Sequence, residues 1–521
     1  MEKTIIASVI GNHPIRQSII EQLQSKGRPM ETFEDFDDLN DASGYGEFFV
    51  LPNYDISDES TLQAVNTLAL KYPMTDAELS KPVCHLLLHS QVSLWLLQTL
   101  DLYREIHRKF EIYAFTLEDQ WAKNVFCQPN SHIKTYPHLD REKIDYQSNK
   151  TVHLVIYGFS EMSESLAFHA ALTAHFPNFI RDHSLRTRIT ILAEDLTEER
   201  NAFIQRYKNL FDHSYYRTVN LNEQRITQFH EPIYSSSRED FVDVEWEFVD
   251  GSIHHPVMQQ KLALWAEDKD QLLTIALCDI SYQRNFNIAF AMPKAVYENH
   301  IPVLVHVKHS SLLDEVKETD NYHDLFPFGM EDFGYDITLP LLQMAKRLNY
   351  LYTCSFGQKG MPTDMPTEEV EKEWRKIESF NMRYSSFYNV MTLATKMRSL
   401  GHDDNNWNVL YALTQDEIEM ISAVEHNRWN VERLLQGFRP PTDKEREEIE
   451  KNIQEFIMAK KTGGEKPERD LKNAYKKQKV HYDICAYREL KEDKTGQNVK
   501  VYDYDLTAGI PLIAQSFNES R

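Results

Sequence analysis

The chain has 521 residues, 41% of them hydrophobic and 26% charged, and a formal net charge of −23. That length exceeds one ordinary domain, and the composition is that of a globular protein able to bury its own cores. So acidic a chain repels phosphate backbones and anionic lipid, which argues against nucleic acid as a partner and against direct membrane docking; a small basic pocket remains compatible with it.

The five cysteines, Cys84, Cys127, Cys278, Cys354 and Cys485, are scattered without a CxxC pair. An odd number in a long chain fits a reducing compartment and gives no zinc signature, so no metal site is expected. The opening stretch MEKTIIASVIGNHPIRQ lacks the apolar run of a signal peptide, and no segment approaches the roughly 18 consecutive apolar residues of a membrane span. A cytoplasmic location is expected, with any membrane association made through a membrane-protein partner.

The first unit opens at TIIASVIGNHPIRQSIIEQLQSKG, residues 4–27. A β-rich run is followed by the turn residues Gly11 and Asn12, and Pro14 suits a first helical turn. Ile15, Ile19, Ile20 and Leu23 then recur at helical spacing, with Gly27 as the stop. The apolar runs EFFVLP (47–52), VCHLLLH (83–89) and FEIYAFT (110–116) read as buried strands between helical stretches, the pattern of a parallel α/β sheet. Residues 127–150 are polar, contain Pro129 and Pro137, and read as a linker.

The pattern restarts at TVHLVIYGFSEMSESLAFHAALTAHFP (151–177), again strand, turn and helix. Further strands are expected in TRITILAED, VDVEWEFVDG (242–251), QLLTIALCD (271–279) and IPVLVHVK (301–308). Two α/β units of one plan are therefore expected, over 1–145 and 150–345, followed by a mainly helical region over 346–521. In that last region TQDE (414–417) is a capping-box pattern before a helix, and the charged stretch 443–479 reads as a solvated helix and loop.

Two places carry candidate chemistry. The turn after the strand 151–157 offers Gly158, Ser160 and Ser163 where a dinucleotide fingerprint has three glycines. Serine is small, and a helix N-terminus still presents N–H groups to an anion. The next strand ends in Glu194 and Asp195, acidic residues suited to a ribose but farther from Gly158 than the usual spacing of about 20 residues. With Asp279 they form the candidate cofactor set, to be weighed against a sheet of the same plan that holds no nucleotide. Residues 151–330, through LVIYGFSEMSESLA, LLTIALCDISYQRNFNIAFAMPKAV, IPVLVHV and FPFGM, resemble a TrkA-N (RCK-type) Rossmann domain. The resemblance implies NAD or another nucleotide as ligand, a regulatory link to a cation channel or transporter, and pairing into a homo-oligomer.

The second place is AVEHNRWNVERLLQGFRPP (423–441). On a helix from Gln415 to Gln436, Met420, Val424, Val431, Leu434 and Leu435 share one face, and Ile418, Ser422, His426, Trp429 and Arg433 share the opposite one. The second face is either a further packing surface or a pocket wall. EHNRWNVERLLQGFRP together with KVHYDICAYREL (479–490) and the closing VYDYDLTAGIPLI resembles a ryanodine-receptor repeat, the RyR domain, over about 410–515. The matching positions are His426, Trp429, Gly437–Phe438, Lys479, His481, Tyr487 and Leu490. Tyr482 stands where the family usually has proline, and the segment between the two motifs is longer than the family pattern.

The resemblance implies an adenine nucleotide held against Trp429. Stacking of a base on such a ring is worth roughly 1–3 kcal/mol. Arg428, Arg433, Arg439 and Lys479 are the expected phosphate partners, His426 and His481 the expected partners of ribose or phosphate, and Glu425 and Tyr487 complete the set. The expected function is a sensor of a nucleotide or nucleotide-derived small molecule. A nucleotide-processing enzyme and a ligand-free regulatory subunit of a channel are the alternatives. No GxSxG, Walker loop, HExxH or Cys–His pattern supports catalysis. Neighbouring residues such as Glu425 and His426 also point about 100° apart on a helix.

Overall fold

The computed structural model describes the chain except for residues 1–4, 40–43, 73–80, 100–103, 128–135, 224, 234–239, 320–321, 357–359, 378–379, 403–412 and 520–521. The first sheet contains β1 (Ile6–Ile10), β2 (Met30–Phe33), β3 (Tyr45–Val50), β4 (Val83–Leu87) and β5 (Glu111–Phe115). Its order is β2-β1-β3-β4-β5, with every pairing parallel. The inner strands are buried almost throughout, as expected where helices cover both faces of a parallel sheet.

The second sheet contains β6 (Thr151–Tyr157), β7 (Thr187–Ala193), β8 (Tyr216–Asn220), β9 (Arg225–His230), β10 (Val244–Asp250), β11 (Gln271–Leu277), β12 (Val303–His306) and β13 (Leu325–Phe328). Its order is β13-β12-β11-β6-β7-β10-β8-β9, parallel except for β9, which returns as a hairpin against β8. Without that hairpin the order is that of a doubly wound dinucleotide fold, with the strand order reversing between β6 and β11. The protein is thus α/β, with two Rossmann-like parallel-sheet units in tandem before a mainly helical region. The β8–β9 hairpin and β2 carry no long apolar run, which is why the periodicity did not reveal them.

The described part of the polar stretch 127–150 is not a free tether. Tyr136, Leu139 and Ile144 are buried, the Tyr136 hydroxyl donates to the Pro327 carbonyl at 2.8 Å, and Asp140 accepts from Arg398 at 2.7 and 2.9 Å. Residues 128–135 of that stretch lie outside the described residues. The two sheets are joined by the chain that follows β13. Trp121 Nε1 donates to the Met330 carbonyl at 3.0 Å and Asn124 to that of Gly334 at 2.7 Å. Tyr335 stacks on Phe115 with ring centroids 4.0 Å apart. Gly334, at φ +116°, passes so close to Trp121 that a Cβ would lie 2.8 Å from the indole.

The helical region begins with Pro340–Phe356 and includes Thr367–Arg375, Phe380–Met391, Leu393–Ser399, Gln415–Leu435, Asp443–Thr462, Leu471–Lys476, Lys500–Ala508 and Ile510–Glu519. The capping box at Thr414 forms: Thr414 Oγ1 accepts from Glu417 N, and the Glu417 carboxylate accepts from Thr414 N at 2.7 Å. The Gln415–Leu435 helix is central. It packs against the helices Lys500–Ala508, Phe380–Met391 and, from the second sheet unit, Glu161–Thr173. Both faces of this helix are packed: Ile418, Ser422 and His426 are buried along with Val424, Val431 and Leu434, and so are Glu425, Arg428 and Glu432. One hydrophobic cluster runs unbroken from the strands of the second sheet to Ile513.

Candidate functional site

A cavity of about 620 Å³ opens beside the middle of the Gln415–Leu435 helix. Its walls come from the helices Pro340–Phe356, Phe380–Met391, Asp443–Thr462 and Lys500–Ala508 and from the segment 470–499. Of the residues singled out in the sequence, Glu425, His426, Arg428, Trp429, Arg433 and His481 line it. Arg439, Lys479 and Tyr487 are not part of the lining. Arg439 is taken up by Glu445 at 2.7 and 2.8 Å. Lys479 Nζ donates to the Gln436 carbonyl at 3.3 Å and lies over Phe438, and Tyr487 packs beside His426.

The half-buried Trp429 is clasped on three sides. His426, one helical turn before it, stacks at 5.5 Å; the Arg433 guanidinium, one turn after it, lies 5.3 Å from its centroid; and His481 meets it edge-on at 4.9 Å. The segment carrying His481 is held there by a two-way backbone pairing, Arg439 N to the Lys479 carbonyl and His481 N to the Arg439 carbonyl, each at 2.9 Å. A flat ligand can therefore cover the indole only where Arg433 or His426 yields. A second aromatic surface, absent from the sequence reading, is formed by Tyr352, Phe356 and Tyr502, whose centroids lie 5.8–6.0 Å apart.

Most charges of the lining are already matched. Glu425 accepts from Lys396 at 2.7 Å and from Arg428 at 2.8 and 2.9 Å, and Arg428 also donates to Glu432 at 2.8 Å. Burial would raise the Glu425 carboxyl, but the adjacent Arg428 and Lys396 bring it down to about 2. Arg428 is only 1% exposed and is held by Glu425 and Glu432, so a phosphate reaching it has to compete with both carboxylates. His426 donates from both ring nitrogens, to Asp503 and to the Cys485 carbonyl, each at 3.1 Å. Burial alone would lower its pKa; these two acceptors raise it to about 10. Burial pushes Asp503 up as well, so the pair competes for one proton, and the imidazole with two acceptors is the group that holds it.

Lys472 pairs with Asp483 at 2.8 Å and Lys494 with Asp470 at 2.7 Å. What is left is two cations, Lys476 and Arg433, and one carboxylate, Asp493, which among the described residues accepts only from Thr495 and Gln497. Lys476 has no ion-pair partner among the described residues, and partial burial beside Arg433 lowers its pKa. Arg433 donates to Gln436 at 2.9 Å and to Ser385 at 3.2 Å and lies 3.6 Å from Glu432, which Arg428 already holds. Its Nε is buried and without a partner among the described residues. Asn452, Phe456, Asp470, Lys472 and Lys476 come from the charged stretch 443–479, so that stretch is a cavity wall on its inner side as well as a solvated face. Its only periodic signal was the buried series Ile449, Ile453 and Ile457.

The second candidate lies where the order of the larger sheet reverses. Gly158 has φ +93°, and a Cβ there would lie 2.5 Å from the backbone nitrogen of Asp279, so only glycine fits. Ser160 and Ser163 are employed by the fold. They form a capping box at the Glu161–Thr173 helix, and Ser160 Oγ also donates to the Cys278 carbonyl at 2.7 Å. Arg284 spans the crevice, reaching Glu194 at 2.9 Å and Asp279 at 3.4 Å. Asp195 is exposed, with φ +57°. The fold brings Gly158, Ser160, Ser163 and Asp279 together; a ribose seeking Glu194 or Asp279 has to compete with Arg284.

No helix among the described residues is long and apolar enough to cross a membrane. All five cysteines are buried, and none is in a disulfide. No protein-family model matches the chain, and no curated protein matches it at significant similarity.

Proposed function

We propose that the protein is a sensor that binds an anionic, nucleotide-type small molecule in the cavity beside Trp429. One observation carries the reading: Arg433 lines a cavity of about 620 Å³, next to aromatic rings, and among the described residues its buried Nε has no hydrogen-bond partner and the neighbouring Lys476 no ion-pair partner. A buried donor without a partner is costly, and an anion removes that cost. The volume lies within the ordinary range for a small-molecule site, about 300–1,000 Å³. An aromatic base has Tyr352, Phe356 and Tyr502 as one platform, and Trp429 as another once Arg433 swings onto the phosphate. An adenine nucleotide or NAD suits both halves of the site, and a regulatory output through a partner protein follows the same reading. The test is calorimetric titration of the full chain with AMP, ADP and NAD, with mass spectrometry of any co-purified small molecule. Binding without turnover supports the sensor and turnover supports a nucleotide-processing enzyme; no binding and no co-purified ligand rejects the site.

A further inference from the structure

The amino ends of β12 and β13 bring together three side chains that are separated in sequence. His300 follows the Lys294–Glu298 helix just before β12, and His323 and Asp324 immediately precede β13. The two approaches are held side by side by Val303 N, which donates to the Asp324 carbonyl at 2.9 Å. His300 Nδ1 lies 3.1 Å from Asp324 Oδ2, His323 Nε2 lies 3.3 Å from the same oxygen, and the two nitrogens are 3.0 Å apart.

Hydrogen bonds cannot satisfy this triangle. A ring nitrogen holds at most one proton, in the plane of the ring. If both nitrogens donate to the carboxylate, two N–H groups confront each other across 3.0 Å. If one ring donates to the other, the accepting nitrogen has no proton for the carboxylate. One contact of the three is always unmade or repulsive. A cation at the centre satisfies all three at once, because each atom then offers it a lone pair. The edge lengths also fit. A tetrahedral ion with bonds of about 2.0–2.1 Å has ligand-to-ligand edges of roughly 3.3–3.4 Å, and an octahedral one about 2.9–3.0 Å.

We propose that His300, His323 and Asp324 form a binding site for a borderline divalent transition-metal cation of the Zn²⁺ class, with its remaining positions open to water. Two imidazoles and a carboxylate favour such an ion over Mg²⁺ or Ca²⁺, which take oxygen ligands. The side chains are 67%, 49% and 17% exposed in that order, so the ion reaches the site from solvent without deep desolvation. The location indicates a fastening role. These are the amino ends of the strands, opposite the carboxyl edge where Gly158 and Asp279 meet. The ion clips β12 to β13, the strand whose continuation, through Met330, Gly334 and Tyr335, docks on the first sheet unit.

The experiment uses the full chain, stripped with EDTA, dialysed, and titrated with Co²⁺ and then Zn²⁺. Expected are visible ligand-field bands, displacement by Zn²⁺ at one ion per chain, and a Zn²⁺-dependent rise in melting temperature that EDTA reverses. His300→Ala and His323→Ala should each weaken Zn²⁺ binding at least as much as loss of an outer-shell partner does, roughly 10–100-fold. His309→Ala, an exposed histidine beyond the other end of β12, should leave it unchanged. Absence of a bound ion at saturating Zn²⁺, or equal binding by the His300→Ala/His323→Ala double variant, overturns the site. Circular dichroism checks that the variants fold; should His300→Ala not fold, His323→Ala alone decides.

Discussion

Replacing Arg433 with alanine separates binding from packing. The guanidinium lies over Trp429 and Phe438 at 5.3 and 5.8 Å and donates to Gln436 and Ser385. Each partly exposed cation–π contact is worth roughly 0.5–1 kcal/mol and each neutral hydrogen bond about 0.5–1.5 kcal/mol. Removing the side chain also relieves a mostly buried charge, and Glu432 keeps its bond to Arg428, so the net loss of stability should be about 1–3 kcal/mol. A charge-assisted hydrogen bond to an anionic ligand is worth roughly 1.5–3 kcal/mol, so affinity should fall roughly 10- to 150-fold. Arg433→Lys, which keeps the charge and loses the planar fork, should fall between. The contrast is Arg428→Met. It strips Glu432 of its closest cation and should cost about 3–5 kcal/mol of stability. The assays are calorimetry with AMP, ADP and NAD and urea denaturation of the same preparations. Undiminished affinity in a folded Arg433→Ala protein refutes the assignment of Arg433 to the ligand.

Trp429→Ala should weaken the same ligand by roughly 1–3 kcal/mol if the base stacks on the indole; a large drop in denaturation midpoint with unchanged affinity would make Trp429 a packing residue clasped by His426, His481 and Arg433. The His426 pair sets an alkaline limit: with its pKa raised from 6.5 to about 10, its contribution is complete below 6.5 and lost as pH climbs through 10, so urea midpoints should decline over that window and decline less in His426→Gln. Glu425 sets the acid limit in the opposite sense: lowered from 4.5 to about 2, it contributes fully above 4.5 and ceases to contribute as pH falls through 2, a slope that Glu425→Gln should reduce. Gly158→Ala should destabilise by at least about 1–3 kcal/mol, because both the φ of +93° and the Asp279 backbone forbid a Cβ; an unchanged midpoint would show that the crevice relaxes freely.

The α/β plan was legible because buried parallel strands are continuous apolar runs, and TVHLVIY, TRITILA and QLLTIAL could hardly be anything else. Gly158 and the capping box at Thr414 were legible because each is a local requirement of the backbone. The cluster His426, Trp429, Arg433 was visible as one helical face, and the cavity lies against it. What surrounds it was not visible. Tyr352, Tyr502 and Lys476 reach the cavity from stretches far apart in the chain, and no spacing rule connects them. Glu425 and Glu432 stand one turn before and after Arg428, but that their ion pairs are deeply buried and closed by Lys396 from another helix was not visible in the spacing. His300 carried no signal because its partners stand beside it only after β12 and β13 pair.

The unbroken cluster from the second sheet to Ile513 also determines how the molecule comes apart. A helical region that contributes to the same interior as β6, β7 and β11 is no detachable cassette. Severed near residue 345, both fragments would present raw apolar faces to water, and neither would retain a finished cavity. Larger sheet and cavity should melt as one cooperative unit. A small molecule seated beside Trp429 would then shield amides as distant as those of β6 from hydrogen exchange, with no displacement of any strand.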